Sequence, residues 1–328
     1  MGKHHYSLLI ILTTLLVITA CVNKTPSPTP LETIPPLTET VGVTTVAPTE
    51  AVATTVVSTP SPLKLLFRSN RGGDYNDLYV ISLDGTNILR LTSGETSYEP
   101  CGWSPDGNKI LFTGWGNTET YVGIMNADGT GLTDLTNDPD HSYACGSWSA
   151  DGSQIVYSAY LNENNDIYAM SADGSWKKQL TNDPGSDSDP VWSPIGSLIA
   201  FVSDRGNTGN DSLYIMKDDG SELSRLTNDG GRDYSPAWSP DGTKIAYSMA
   251  NGTNTDIWVI DVNTLAKVNL TNGLGDNSNP TWSPDGRQIL FQTNRDGNWE
   301  IYIMYADGSI PVNLTNNPAD DEIPFLKP

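Results

Sequence analysis

Acidic side chains recur at one position of this 328-residue chain, shortly before a proline. Four residues stand three positions before a proline, namely Asp187, Asp233, Asn277 and Asp321. Glu99 and Asp189 stand directly before one. Carboxylate and amide oxygens bind hard cations and basic peptides, so these residues predict a basic-peptide site, or a Ca²⁺ site at Asp187, Asp233 and Asp321. Asx turns and loop hydrogen bonds are the structural alternative.

Aromatic residues form a second set of candidate binding groups. They fall between or just before predicted strands, at Trp115, Tyr160, Trp299, Tyr98, Tyr143 and Tyr234. An exposed Trp or Tyr beside carboxylates suits stacking on a sugar ring or contact with a peptide. Packing beneath a loop is the alternative for each.

Another acidic series precedes predicted strands, at Asp77, Asp166, Asp211, Asp256 and Glu300. Arg71, Arg205 and Arg295 stand a few residues upstream of three of them. We therefore expect ion pairs between these arginines and these acids.

Histidine chemistry is nearly absent, because His141 is the only histidine after residue 20. No Gly-x-Ser-x-Gly motif, phosphate-binding glycine loop or zinc-ligand spacing occurs, so no catalytic triad is indicated. An enzyme that uses carboxylates alone, a hydrolase or lyase with or without a metal, stays open.

The formal net charge is −21. Residues 1–62 contribute −1, so the rest of the chain carries about −20. Such a surface repels phosphate backbones and excludes nucleic acid as a partner, whereas cations, basic peptides and neutral ligands are favoured.

The sequence of the first 62 residues predicts an export signal followed by a tether. An apolar run from Leu8 to Ala20 is too short for a comfortable membrane span and predicts a signal peptide over residues 1–20. The sequence Ile18-Thr19-Ala20-Cys21 resembles the bacterial lipobox, which implies lipid on Cys21 and a protein anchored in the cell envelope outside the cytoplasm. An ordinary signal peptide with a chance cysteine is the alternative. The Thr/Pro-rich stretch over 21–62 has no aromatic residue and predicts a disordered linker.

From residue 63 one unit recurs six times. Leu-Thr pairs mark it every 44 to 46 residues, starting at Leu91, Leu135, Leu180, Leu226, Leu270 and Leu314. Trp-Ser and Asp-Gly pairs recur in phase, and each unit contains four strand-like segments. This period predicts an all-β fold over 63–328, a six-bladed β-propeller of four-stranded blades.

The two ends of this region are complementary. Residues 64–69 match the second strand of a unit, whereas residues 322–325 match a first strand, with Phe325 in the place of the usual Trp. We expect the C-terminal strand to pair into the first blade, which removes an open sheet edge. In this ring the acids before proline should surround the channel mouth.

Cys101 and Cys145 precede the inner strands of consecutive blades. Inner strands converge at the channel, and an exported protein permits a disulfide if the two Cα atoms come within about 7 Å. A Cys101–Cys145 bond and two free thiols remain the alternatives.

The unit Pro-x-Trp-Ser-Pro-Asp-Gly, followed by Asp-Ile-Tyr-x-Met and Leu-Thr-Asn, resembles the repeat of TolB-like (WD-type) propellers over residues 63–328. The resemblance implies the fold. A Tol–Pal role does not carry over, because a linker stands where TolB has an N-terminal α/β domain. The sequence predicts a monomeric binding or scaffold lipoprotein with a protein or peptide partner and no cofactor unless Ca²⁺ binds. Glycan binding is the second hypothesis.

Overall fold

A computed structural model describes residues 63–115, 119–206 and 210–328. The signal peptide over 1–20, lipidated Cys21 and the linker over 21–62 lie outside the described residues, so these assignments stay predictions. None of the described ranges contains a helix that is long and apolar enough to span a membrane.

Six four-stranded antiparallel sheets make up the described chain, and each sheet is one blade. From the inner to the outer strand, blade 1 consists of β24 (Asp321–Leu326), β1 (Lys64–Ser69), β2 (Asp77–Ser82) and β3 (Leu89–Arg90). Blade 2 consists of β4 (Tyr98–Trp103), β5 (Lys109–Trp115), β6 (Thr120–Asn126) and β7 (Thr133–Asp134). Blade 3 consists of β8 (Ser142–Trp148), β9 (Gln154–Leu161), β10 (Asn164–Ser171) and β11 (Lys177–Gln179).

The remaining blades follow the same order. Blade 4 consists of β12 (Asp187–Trp192), β13 (Leu198–Ser203), β14 (Ser212–Lys217) and β15 (Ser224–Arg225). Blade 5 consists of β16 (Arg232–Trp238), β17 (Lys244–Asn251), β18 (Asn254–Asp261) and β19 (Lys267–Asn269). Blade 6 consists of β20 (Asn277–Trp282), β21 (Gln288–Thr293), β22 (Glu300–Tyr305) and β23 (Val312–Asn313). The all-β, six-bladed prediction is confirmed.

The core lies between neighbouring blades. Second strands are apolar on both faces because each blade is covered on both sides, as in Ile110, Leu111 and Phe112, which are fully buried. Loops between second and third strands share one side with those between fourth strands and the next inner strand. We call this side the top face, and the side that carries the Asp-Gly turns the bottom face.

The Leu-Thr pair has a specific structural role at the outer strands. Thr92 Oγ1 accepts the backbone N–H of Leu78 at 2.9 Å and donates to Asp77 Oδ1 at 2.9 Å. Thr271 does the same with Ile257 and Asp256. The threonine therefore continues the sheet where the backbone ladder of the fourth strand stops, which explains the recurring acid before the third strand.

The Trp-Ser pair fixes the inner strands. The indole N–H of Trp103, Trp238 and Trp282 each donates to a backbone carbonyl of the preceding blade. In the following turn, Ser104 Oγ donates to Asp106 Oδ1 at 2.6 Å, and Gly107 adopts φ 66°, which glycine reaches without steric cost.

The C-terminal strand closes the ring as predicted. Strand β24 pairs antiparallel with β1, with Leu65 opposite Leu326 and Ser69 opposite Asp321. One detail of the prediction was wrong: Leu326, not Phe325, takes the place of the Trp. Leu326 stands two residues after Pro324, as Trp192 does after Pro190, and its partner Leu65 matches Ile199, the partner of Trp192.

Candidate functional site: the channel and its mouth

A bulge in the inner strands determines what faces the channel. Asp189, Ser235, Asn279 and Ile323 each stand directly before a proline and have φ between 49° and 53°. In blades 4, 5 and 6 the ladder to the second strand shifts register at these residues. A bulge redirects side chains, and all four of these residues line the channel.

Side-chain contacts around the channel link every blade to the next, and we call this set the inner ring. Ser235 N–H donates to Asp189 Oδ2 at 2.8 Å, and Ser235 Oγ donates to Asn279 Oδ1 at 2.6 Å. Gln292 Oε1 accepts from Asn279 Nδ2 and from the backbone N–H of Ile323, both at 2.9 Å. These bonds connect blades 4, 5, 6 and 1.

The inner ring continues through blades 1 to 4. Arg68 binds Glu322 at 2.9 Å and Glu99 at 3.2 Å, which joins blade 1 to blade 2. A disulfide joins Cys101 of blade 2 to Cys145 of blade 3, with 6.1 Å between the Cα atoms. The Trp192 backbone N–H then donates to Ser147 Oγ at 2.7 Å, which joins blade 4 to blade 3.

The channel holds a cavity of about 390 Å³. Prolines and inner-strand tryptophans, such as Pro190, Pro236 and Trp238, form nearly half of its wall. Its polar groups include Glu99, Asp189, Ser235 and Asn279. The site therefore combines an apolar wall with a few polar groups at defined places, which is the usual form of a ligand pocket.

Two carboxylates face this cavity. Burial raises the pKa of Asp189 above its ordinary value, although the Ser235 N–H opposes the shift. Burial also raises the pKa of Glu99, and repulsion from Asp189 adds to this while Arg68 opposes it. Asp189 makes no ion pair with any described residue, and the one cation that attracts it from a distance, Arg232, is paired with Asp211.

The other polar residues predicted at the mouth, three acids and one asparagine, lie elsewhere. Asp187, Asp233, Asn277 and Asp321 are at most 1% exposed and do not line the cavity. The side chain directed at the channel belongs to the αL residue at the bulge, whereas the residue two positions earlier is buried within its blade. The predicted arginine pairs also differ: Arg205 binds Asp187 at 2.6 Å, and Arg71 binds Asp321 at 2.5 Å. Arg295 donates to Asn277 Oδ1 at 2.9 Å.

The candidate calcium ligands are therefore not brought together. Asp187, Asp233 and Asp321 belong to three separate sheets, and two of them are neutralised by arginine. Across residues 63–115, 119–206 and 210–328, no three His, Cys, Asp or Glu side chains are grouped so that they could hold a metal ion.

Asp233 differs from its counterparts because blade 5 supplies no arginine to it. The short β17–β18 hairpin replaces the loop that carries Arg205 in blade 4, and Met249 stands opposite Asp233. Asp233 keeps a hydrogen bond from Thr227 Oγ1, but its Oδ1 and the nearby Tyr247 hydroxyl have no partner. Burial raises the pKa of Asp233 to about 7.

The predicted aromatic contacts divide into three groups by exposure. Trp115 is 52% exposed and Tyr160 is 53% exposed, both on the top face. Trp299 and Tyr234 are half-buried. Tyr98 and Tyr143 are buried, because they occupy in blades 2 and 3 the place that Asp187 takes in blade 4.

Several site residues were missed from the sequence. Ser235 and Asn279 were missed because their function depends on backbone conformation, although their place before a proline, like that of Asp189, was a usable signal. Tyr75, which is 40% exposed on the top face, lies in a loop whose length differs from the other blades and therefore had no repeat position.

Six four-stranded blades around a channel with a few polar groups in its wall define a β-propeller. The TolB beta propeller domain family (PD40) matches residues 137–236 and 230–328, and the chain belongs to this family. No functionally curated protein matches the sequence.

Solved structures with the same fold include TolB from Acinetobacter baumannii, at 25% identity and a TM-score of 0.73, covering 81% of this chain and 67% of that one. A putative TolB from Agrobacterium tumefaciens is 23% identical with a TM-score of 0.56, covering 75% and 91%. A chain of a nidogen/laminin complex is 12% identical with a TM-score of 0.65, covering 81% and 98%. The last two likenesses show the fold alone.

Asp233 should make stability fall with rising pH. Because its folded pKa is raised, the folded state favours the protonated carboxyl, and stability is lost as the pH rises from about 4 through about 7. Asp233→Asn mimics the neutral form, so at pH 8 it should increase the free energy of unfolding by up to roughly 4 kcal/mol, with little difference at pH 4. Denaturant unfolding across this pH range measures it. A variant that is less stable than wild type at pH 8 would contradict the assignment.

The disulfide should stabilise the seam between blades 2 and 3. Trp148 lacks the carbonyl partner that Trp103, Trp238 and Trp282 have, so the disulfide and the hydrogen bond from the Cys145 N–H to Thr113 Oγ1 form the inner-ring link there. The double variant Cys101→Ser/Cys145→Ser should lower the free energy of unfolding by about 2–4 kcal/mol. Adding a reductant to wild type should reproduce the loss and leave the double variant unchanged. Equal stability of both proteins without reductant would refute this role.

Proposed function

We propose that this propeller is a non-catalytic binding module whose channel mouth takes a lysine or arginine side chain from a basic segment of a partner protein. The observation that carries the proposal is Asp189, a carboxylate in the wall of an apolar cavity with no protein cation beside it. Family membership supports a binding role and does not identify the partner.

The chemistry of the wall fits a long cationic side chain. A lysine or arginine stem is aliphatic and packs well on proline, while its charged end needs a carboxylate or hydrogen-bond acceptors. Pro190 and Pro236 supply the apolar surface, and Asp189 and Glu99 supply the charge. The net charge of about −20 on the folded region would also accelerate the approach of a basic partner.

We further propose that the protein is held to the outside of a bacterial membrane through lipid on Cys21. The linker predicted over 21–62 leads to residue 63. Leu63 lies on the bottom face, where its carbonyl accepts the backbone N–H of Leu83. Glu99 and Asp189 lie nearer the top-face end of the inner strands, whereas Pro194, Pro240 and Pro284 line the same cavity from the bottom-face turns.

Asp189→Asn should weaken capture of a basic peptide. The asparagine Oδ1 can still accept the Ser235 N–H, so the inner ring is retained while the charge is removed. With a fluorescein-labelled hexapeptide containing two lysines, the variant should bind about tenfold more weakly, because a partly buried ion pair is lost. The salt dependence of binding should also decrease. Fluorescence anisotropy at two salt concentrations measures both effects.

Two controls make this test specific. Glu163→Gln removes an equal charge from an exposed position of the β9–β10 hairpin on the top face, outside the cavity, and should leave affinity unchanged. The same peptide with norleucine in place of lysine should not bind. If Glu163→Gln and Asp189→Asn weaken binding equally, general charge and not the channel accounts for it, and the proposal fails.

Lipid anchoring predicts that Cys21→Ser moves the protein from the membrane fraction to the soluble fraction. Intact-mass measurement of wild type should show a mature chain that begins at Cys21 and carries acyl chains. An unmodified Cys21 in the membrane-associated protein would disprove the anchor without affecting the channel proposal.

A further inference from the structure

A second concave site lies on the top face between blades 1 and 2, away from the channel. Two exposed aromatic rings flank it: Tyr75 at 40% exposure from blade 1 and Trp115 at 52% from blade 2. The cleft has a volume of about 390 Å³. Its remaining lining residues are Arg68, Asn76, Glu95, Ser97 and Tyr98.

The two walls of this cleft are fixed relative to each other. The Trp115 backbone N–H donates to the Ser97 carbonyl at 3.0 Å, and the Asn76 backbone N–H donates to Ser97 Oγ at 3.3 Å. The Tyr98 N–H donates to the Asn76 carbonyl at 2.8 Å. Strand β5, which carries Trp115, and Asn76, which follows Tyr75, are therefore both bonded to the segment that leads into β4, so binding a ligand would cost little backbone ordering there.

The side chains that line the cleft have unused hydrogen-bonding capacity. Within the described part of the chain, the Tyr75 hydroxyl, the Asn76 amide, the Glu95 carboxylate and the Trp115 indole N–H make no hydrogen bond or ion pair. Arg68, in contrast, is engaged by Glu99 and Glu322. The cleft thus offers two ring faces with several donors and acceptors, and its one cation is already neutralised.

We propose that this cleft binds a neutral oligosaccharide. The C–H face of a pyranose ring is apolar and stacks on an aromatic ring, while its hydroxyls both donate and accept hydrogen bonds. Asn76 supplies a donor and an acceptor, Glu95 an acceptor and Trp115 a donor, which matches vicinal hydroxyls. A cleft of this volume holds one or two sugar rings between Tyr75 and Trp115.

Charge selects the class of saccharide. An anionic glycan would meet Glu95 in the cleft and a folded region of about −20, with Arg68 already paired. A basic peptide would be attracted by Glu95, but the aromatic walls give it no second carboxylate to pair with. The free groups of the cleft therefore favour an uncharged, hydroxyl-rich ligand.

The test uses wild-type protein with cellohexaose, chitohexaose and maltohexaose as neutral probes and pentagalacturonate as an acidic probe. At least one neutral hexasaccharide should bind and change the tryptophan fluorescence, with saturation in the micromolar to millimolar range. Trp115→Ala and Tyr75→Ala should each weaken that binding by about tenfold or more, because each removes a stacking face. Failure of all three neutral probes to bind at about 10 mM would overturn the proposal, as would stronger binding of pentagalacturonate.

Matched variants distinguish the cleft from nonspecific aromatic contact. Trp176→Ala removes a tryptophan of 43% exposure beyond the cleft, and Tyr160→Ala removes a top-face tyrosine of the next blade. Both should retain saccharide binding, and thermal unfolding of all four variants should match wild type. Equal loss in Trp176→Ala would refute the site. Trp115→Ala should leave the affinity of the channel for the lysine peptide unchanged, so the two proposals fail independently. If Trp115→Ala instead loses peptide binding and the wild type binds no saccharide, the cleft is a peptide site and the saccharide proposal is overturned.

Discussion

The bulge before the inner-strand proline is the constraint on which the rest of this propeller depends. It turns one residue of blades 1, 4, 5 and 6 into the αL region and directs its side chain at the channel, where it contacts the next blade or lines the cavity. Without that turn, strict alternation would direct its neighbours inward, and Ser235 and Asn279 could not link blades 4, 5 and 6. The links among blades 4, 5 and 6 and the polar groups of the channel wall in those blades therefore have the same backbone origin.

The fold could be predicted from the sequence because its signals repeat. Leu-Thr, Trp-Ser and Asp-Gly each have a local hydrogen-bonding role that is the same in several blades, so spacing alone places them. The site was less predictable. Asp187 and Asp189 are two residues apart and both acidic, yet one is fully buried and the other lines the channel, and only the φ angle at the bulge separates them. Tyr98 and Tyr143 were misplaced because they replace this buried acid without leaving the repeat.

The irregular blades show how one packing problem has several solutions. Blades 1, 4 and 6 place an arginine over their Phe–Tyr ring pair and pair it with a buried oxygen, as Arg205 does above Phe201 and Tyr214. Blades 2 and 3 replace the acid with tyrosine. Blade 5 keeps the acid without the arginine, so the hydrogen bond from Thr227 Oγ1 is left to hold Asp233. Likewise, the seam where Trp148 lacks its carbonyl partner is the one that carries the disulfide.

The position before the inner proline already holds Asp, Ser, Asn and Ile in four blades with nearly the same φ. Different side chains at this position leave the backbone ladder of the sheet intact, so the groups that line the channel differ from blade to blade, and Asp189, Ser235 and Asn279 are coupled through their hydrogen bonds. Substitution at this position can therefore change the chemistry of the channel wall while the blade keeps its strands. Ile323 marks the limit of this freedom, since a β-branched residue in the αL region carries strain that Asn or Gly would relieve.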